Sequence, residues 1–361
     1  MYPFSLVFNT KRPVVYFNEL DVLWRYGNHQ LLTMYKKLAD ALVDFDVFIC
    51  YNGTNVHPEF VRQLQCFTVY GCFDDPESSE KLSKPVAGAF DIAMVGNIAE
   101  IDTYKSWGVQ HVRWWPLGFR HDDHSPSLTE QEIIKGHRDI DVTLFCERLT
   151  RWRRKRLDKF AASFPSGAYY GPGWPYGFLP ESKRVPILQR TRIGINIHNS
   201  TGPINFRTFY LPANGVMQIC DNKSHLGKIY KLGMEAIGYD SIEEAIELTH
   251  YYIAHDEERR HIAAAGWRRA TRDYNEVACF KTVVDSINEF IFTKHNRMMP
   301  SKTIDVFSRK VSWLNSIVNS IALTTWMATN ALRLFIRGVS RKAFDHVVNL
   351  SFRRHIGKQD I

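Results

Sequence analysis

The residues best suited to chemistry lie between Arg192 and Asp221, in RIGINIHNSTGPINFRTFYLPANGVMQICD. An apolar run from Ile193 to Ile197 stops at His198 and the small polar turn Asn199-Ser200-Thr201-Gly202. Pro203 has the fixed φ of a helix's first turn, so a helix is expected through Phe206, Phe209 and Leu211, ended by Asn214-Gly215. Val216 to Cys220 is a second apolar run, closed by Asp221. In such a strand, loop, helix, strand unit the unpaired N–H groups at the helix start attract an anion. Arg207, in the first turns, adds a charge-assisted bond. A diphosphate fits this chemistry, lined by Asn199, Ser200, Thr201, Gly202, Asn205 and Arg207. An ordinary βαβ unit with no ligand satisfies the same pattern, and this stretch alone leaves both readings open.

Other groups converge on the same kind of place. Asp74-Asp75 follows an apolar run, and a carboxylate there can take a proton from a hydroxyl acceptor or hold a sugar hydroxyl. The alternative is a turn at Asp75-Pro76 with Asp74 capping the next helix. Arg148 to Arg156 (RLTRWRRKR) has six basic residues in nine, with Arg153 and Arg154 best placed to meet a phosphate; a solvated helix face is the competing account. His198 either contacts substrate or is a satisfied, partly buried histidine. Glu235, in LGMEAIGYDS, is expected near the carboxyl side of the later strand, as a ribose or sugar clamp or as an exposed loop acid. Gly171-Pro172-Gly173-Trp174 is a rigid turn whose aromatic plate can stack a base or sugar, or simply pack.

These groups need a scaffold that gathers strand ends. Alternating apolar runs and helical spacings predict it: strands at Val14–Phe17, Asp46–Cys50, Cys66–Gly71, Asp91–Val95 and Val112–Trp115, with helices at Asn28–Val43, His57–Leu64 and Ile98–Trp107. A second series follows, with strands Asp141–Cys146 and Ala168–Tyr170, helix Arg153–Phe164, the unit described above, and helices Ile242–Leu248, Asp256–Tyr274 and Phe280–Phe292. Alternation of this kind implies mostly parallel sheets, with ligands outside the carboxyl ends of the strands. The expected organisation is an N-terminal Rossmann-like domain at 1–120, a polar linker at 121–140, a second Rossmann-like domain at 141–295 and a helical tail at 296–361. Two tandem units of this type would present their strand ends across a cleft, where Asn52, Asp74, Asp75, Glu147, Arg148, His198, Asn199 and Ser200 collect.

Composition narrows the classes. The chain has 361 residues, 45% of them apolar, and a net charge of +8. Residues 300–361 hold ten basic and three acidic residues, so nearly all of that charge sits in the tail and residues 1–299 carry about +1. A nucleic-acid-binding body is therefore not expected. The six cysteines form no CxxC pair, and no Cys/His cluster has zinc spacing. The apolar start at Met1–Thr10 is broken by Lys11, Arg12 and Pro13, so no leader peptide is expected, and buried free thiols in a reducing, cytoplasmic compartment follow.

Several segments, in order, resemble the CgeB-like (spore-maturation protein) glycosyltransferases of the GT-B class. They are VYGCFDDPESS, YKSWGVQHVRWWPLG, YYGPGWP, GINIHNSTGPINFRTFYLPANGVMQICD, LGMEAIGYDSIEEAIE and AHDEERRHIAAAGWRRATRDYN, spanning roughly residues 15–290. The resemblance implies two Rossmann-like domains, the C-terminal one holding a nucleotide-sugar and the N-terminal one the acceptor. It also implies sugar transfer with no cofactor and no obligatory metal, because basic side chains and helix dipoles neutralise the departing diphosphate. One position departs from the family's pattern. Where Arg-x-Phe-Glu is usual, with the glutamate contacting the donor's ribose, this chain has Arg207-Thr208-Phe209-Tyr210. A tyrosine cannot make a charged two-point clamp. An inactive nucleotide- or sugar-binding relative acting as an assembly factor is therefore the alternative to a transferase.

The tail adds a location. In residues 312–338 an apolar face of Leu314, Ile317, Val318, Ile321, Leu332, Phe335 and Ile336 opposes Asn315, Asn319, Asn330, Arg333 and Arg337. A basic amphipathic helix lying in the headgroups of an anionic inner leaflet is expected, with packing onto the body or a partner as one alternative and a true membrane span as the other. A glycan, lipid-linked or protein acceptor would follow.

Overall fold

The computed structural model describes residues 20–21, 24–25, 29–52, 56–146, 150–199 and 205–295. The strand expected at Val14–Phe17, the residues Glu147, Arg148, Ser200, Thr201, Gly202 and Pro203, and the whole tail at 296–361 lie outside the described residues.

The first sheet holds β1 (Val47–Tyr51), β2 (Phe67–Cys72), β3 (Ile92–Val95) and β4 (Val112–Trp114) in that order. β1 and β2 are parallel, with Val47 opposite Phe67 and Tyr51 opposite Gly71. β2 and β3 are buried at every position, as unbroken apolar strands covered on both faces require. Helix α1 (His29–Ala41) buries Leu31, Tyr35 and Leu38 at helical spacing. The Tyr35 ring stacks on Phe60 of α2 (Pro58–Val61) at 4.2 Å. α3 (Ile101–Ser106) follows β3 and ends before Gly108, whose φ of +84° suits glycine.

The second sheet has the order β6-β5-β7-β8-β9, and all four pairings are parallel. Its strands are β5 (Ile140–Phe145), β6 (Ala168–Tyr170), β7 (Thr191–Asn196), β8 (Met217–Asp221) and β9 (Ile237–Tyr239). The helices are α4 (Glu130–Lys135), α5 (Arg151–Ser163), α6 (Arg184–Arg190), α7 (Arg207–Ala213), α8 (Lys223–Leu226), α9 (Ile242–Ala254), α10 (Asp256–Asp273) and α11 (Glu276–His295). Successive residues of β7 face opposite ways. Ile193, Ile195 and Ile197 join Leu157, Phe160 and Ile262 in one core layer, while Phe209, Leu211 and Cys220 belong to the other. Gly194 lets α7 come close, since a Cβ there would meet Leu211 Cδ2 at 2.7 Å.

Two arginines, Arg138 buried and Arg260 half-buried, tie the second sheet's periphery. Arg138 donates to the carbonyls of Leu188 (2.9 Å), Thr191 (2.6 Å) and Asn214 (2.9 Å), joining the ends of α6 and α7. Burial, with the nearby Arg259 and Arg260 charges adding, pulls its guanidinium down to about 10. Arg260 donates to Ile134 O (3.0 Å) and Gly136 O (2.6 Å), fastening α4 to α10. The cysteines, all six among the described residues, are buried and form no disulfide. Among the described residues no helix is long and apolar enough to cross a membrane.

Candidate functional site

The site is built where β5, β7 and β8 end. Asn196, the last residue of β7, is fully buried behind the apolar stretch Ile193-Gly194-Ile195, and all four bonding positions of its amide are used. Its Oδ1 accepts from Arg207 Nε (3.0 Å) and Asn205 Nδ2 (3.0 Å). Its Nδ2 donates to Thr208 Oγ1 (3.1 Å) and Gln218 Oε1 (3.2 Å). Asn205 Oδ1 in turn accepts from Thr208 N at 3.3 Å, capping α7 as an asparagine does. Pro212, inside α7, has no N–H to give Thr208 O; that carbonyl is satisfied instead by Tyr230 OH (3.0 Å) and Gln218 Nε2 (3.3 Å). The helix ends at Asn214, and Gly215 follows at φ +65°.

Arg207 is fixed on three sides. Besides Asn196 it donates through Nη1 to Phe145 O (2.9 Å) and through Nη2 to Ile197 O (3.4 Å). Arg153, near the start of α5, reaches the same Ile197 carbonyl through Nη1 at 3.4 Å. Its residue is only 4% exposed, and its Nε has no hydrogen-bond partner. Burial above all, with the Arg207 charge adding, pushes the Arg153 guanidinium below its ordinary value. Among the described residues neither arginine has a carboxylate within ion-pair distance. Two cations held side by side, one with a buried donor unused, form an arrangement that an anion completes.

His198 lies under this edge, 2% exposed. Asp221 Oδ1 faces its Nδ1 at 2.6 Å, Asp221 Oδ2 accepts from its backbone N–H at 2.8 Å, and its Nε2 faces Thr208 Oγ1 at 3.4 Å. It braces the loop from within rather than offering a ring nitrogen at the surface. His198, Cys220 and Asp221 are the residues that bring metal-type donor atoms within 4.8 Å of one another among the described residues. Both carboxylate oxygens already serve His198, and burial, followed by the Asp221 charge, pushes the Cys220 thiol up.

The remaining expected residues are dispersed. Asn199 is exposed at the loop's entry. Arg154 pairs with Asp158 at 2.5 Å and covers the Trp174 ring at 4.5 Å, so α5 and the core occupy it. Trp174 is turned inward onto Tyr169, at 5.2 Å. The turn exposes Tyr176 (59%) and Phe178 (71%) instead. Tyr176 caps a column of rings, 5.2 Å from Tyr170, which stacks at 5.3 Å on Phe145. Tyr210 is buried between Phe145, at 6.4 Å, and the Arg184 guanidinium, at 5.1 Å, and so packs in the core rather than facing a ligand. Glu235 needs correction. It precedes β9, whose first residue Ile237 pairs with Ile219, so its turn lies toward the amino-terminal edge of the sheet. There its carboxylate accepts from Lys231 N at 2.8 Å.

Beyond β2, Asp74 is exposed, and its carbonyl accepts from Ser78 N (3.1 Å) and Ser78 Oγ (2.8 Å). Asp75 is 2% exposed and accepts from Tyr104 OH at 2.5 Å. Glu100, not singled out from sequence, is also buried; burial chiefly, with the Asp75 and Glu77 charges adding, raises its carboxyl above the usual range.

Sequence reasoning missed Asn196, Thr208 and Gln218. The available signal was that Asn196 and Gln218 interrupt apolar strands at positions sharing one face.

Residues 143–284 match a family model described as glycosyl transferase-like. No curated protein matches the chain. Among solved structures, HepE of Anabaena in complex with UDP is similar at a TM-score of 0.54 and 12% identity, over 72% of this chain and 83% of that one. Sucrose-phosphate synthase of Thermosynechococcus elongatus is similar at 0.52 and 11%, over 73% and 80%. The α,α-trehalose 6-phosphate synthase of Burkholderia multivorans is similar at 0.51 and 10%, over 75% and 76%. The chain thus has the parallel-sheet α/β fold of the GT-B glycosyltransferases, and most of its second sheet lies within a segment that matches the glycosyl transferase-like family.

Proposed function

We propose that this protein is a glycosyltransferase that moves a sugar from a nucleotide-sugar donor to a hydroxyl acceptor, and that it is a CgeB-like member of its class. The observation that carries the reading is the pair Arg153 and Arg207, side by side at the ends of β5 and β7, with the Arg153 Nε buried and unpartnered. The diphosphate of the donor lies against these guanidiniums and the loop 199–205. As the bond to the sugar breaks, negative charge grows on the diphosphate, and fixed cations in a dry setting stabilise that charge more than they stabilise the ground state. This supports departure of the leaving group without a resident metal. The stacked column ending at Tyr176 supports a ligand that carries a ring as well as phosphates, because Phe145 forms its base and also offers its carbonyl to Arg207.

Acceptor activation is assigned to Asp74, the exposed member of its pair, with Asp75 held by Tyr104 as the group that fixes the turn. Residues 1–120 serve the acceptor and 141–295 the donor. The basic tail places the enzyme on an anionic inner leaflet, which favours a lipid-linked or surface-glycan acceptor. HepE was solved with UDP and with UDP-glucose, which makes UDP the first probe to use. The test is a thermal-shift panel of nucleoside diphosphates and nucleotide-sugars, followed by measurement of nucleoside diphosphate release. The reading expects stabilisation by at least one diphosphate and release on turnover. Stabilisation without release, with any acceptor offered, would leave a binding protein; no stabilisation by any diphosphate would remove the donor site itself.

A further inference from the structure

We infer that Asn196 is a positioning residue for the anion site: it holds Arg207 at the angle and depth that a diphosphate requires. This rests on the donor-site reading above. The Asn196 carboxamide is fully buried at a strand end, where an apolar residue would complete the core. A buried amide is costly unless every donor and acceptor is paired, and here all are. Two bonds, donated by Asn196 Nδ2 to Thr208 Oγ1 and Gln218 Oε1, fix the amide plane. The other two face the loop, accepting from Arg207 Nε and Asn205 Nδ2 at 3.0 Å each. The asymmetry is the point. One side of the amide is anchored to Thr208 of α7 and Gln218 of β8, and the other side is spent on Asn205 and on Arg207, the first residue of α7.

The choice of an amide over a carboxylate matters as much. An aspartate at 196 would accept equally well from Arg207 but would cancel its charge, leaving little attraction for phosphate. A neutral acceptor orients the guanidinium while leaving it cationic. Arg207 fills its remaining bonds with the carbonyls of Phe145 and Ile197, which are neutral as well. Every contact to this arginine therefore aims it without neutralising it.

The test is a double-mutant cycle in the full chain, titrating UDP into the parent, Asn196→Ala, Arg207→Ala and the double variant. If Asn196 acts through Arg207, Asn196→Ala weakens UDP binding about tenfold or more, and the double variant binds no worse than Arg207→Ala alone. A residue that merely maintains the fold would give losses that add, and full additivity overturns the inference. So does UDP binding by Asn196→Ala equal to the parent's. Should Asn196→Ala fail to fold, the near-isosteric Asn196→Asp replaces it, with weakened UDP binding expected and parental binding overturning the proposal. A parent chain that binds no nucleoside diphosphate removes the donor-site reading and this inference together. A clear Arg207→Ala effect beside an unaffected Asn196 variant removes only the latter.

Discussion

Replacing Arg153 by methionine is predicted to make the empty protein more stable and the liganded protein less so. Among the described residues the side chain makes one hydrogen bond, to Ile197 O at 3.4 Å, and its Nε is buried unpartnered. A buried polar group without a partner costs about 1–3 kcal/mol. Methionine has similar length and no donor to satisfy, so the substitution is expected to stabilise by about 1 kcal/mol after some loss of packing. For a chain of this size that raises Tm by roughly 1–2 °C. With a diphosphate bound, the same guanidinium supplies charge-assisted bonds of about 1.5–3 kcal/mol. Their loss weakens binding by roughly 10- to 150-fold. A diphosphate present at a hundred times its parental Kd stabilises the parent by about 2.7 kcal/mol, and that falls to between about 1.4 and about 0.3 kcal/mol in the variant. Thermal unfolding with and without UDP reads both effects in one experiment. A variant that melts lower than the parent when empty, and keeps the parent's full shift with UDP, would show that Arg153 is a structural group and refute the reasoning.

Three further outcomes follow from the packing. Arg138→Met leaves the carbonyls of Leu188, Thr191 and Asn214 without their donor, and should cost about 3 kcal/mol or more in urea unfolding. Gly194→Val drives a side chain into Leu211 at the closest approach of α7 to β7; a loss of about 1–3 kcal/mol and a weaker UDP shift are expected, read by calorimetry. Burial alone would raise Asp256, but its bonds to Arg259 and Arg260 overrule that and hold its carboxyl at about 2. Its folded pKa thus lies below the unfolded value near about 3.9, so its contribution is complete above that value and is lost as pH falls toward about 2. Asp256→Asn should flatten the acid limb of the stability profile below about pH 4 and lower stability at neutral pH, where Arg259 would lose its acid.

Much of the fold was legible because its strands are apolar runs ended by turn residues. The run Ile193–Ile197 became β7 at Thr191–Asn196, and Asn214-Gly215 ended α7 as glycine past a helix should. Among the elements not foreseen, three have local reasons, and the fourth, α8, is a single turn. β9 is three residues long, between Gly233 and the edge of a helix, too short for any period to register. α6 carries Pro186, which reads as a breaker but is tolerated in a first turn, where no helical N–H bond is lost. α4 lay in a polar stretch read as a connection, although Thr129 and Glu132 form a capping box. The site was legible in kind but not in detail. Arg153 and Arg207 were among the candidates, whereas Trp174, Tyr210 and Glu235 were placed by chemical type without knowledge of which way each would turn. Trp174 and Tyr210 face the core because Trp174 stacks on Tyr169 and Tyr210 meets Phe145 edge to face. Asn196 escaped notice because a buried amide and a surface amide look alike until their partners, Thr208 and Gln218, are brought within reach.

The central claim is that Arg153 and Arg207 receive the diphosphate of a nucleotide. A crystal structure with UDP bound tests it most directly. The account predicts phosphate oxygens within hydrogen-bond distance of Arg153 Nε and of the Arg207 guanidinium, with Asn196 still accepting from Arg207. A diphosphate bound elsewhere on the chain, with Arg153 Nε left as buried and unmet as before, would contradict it.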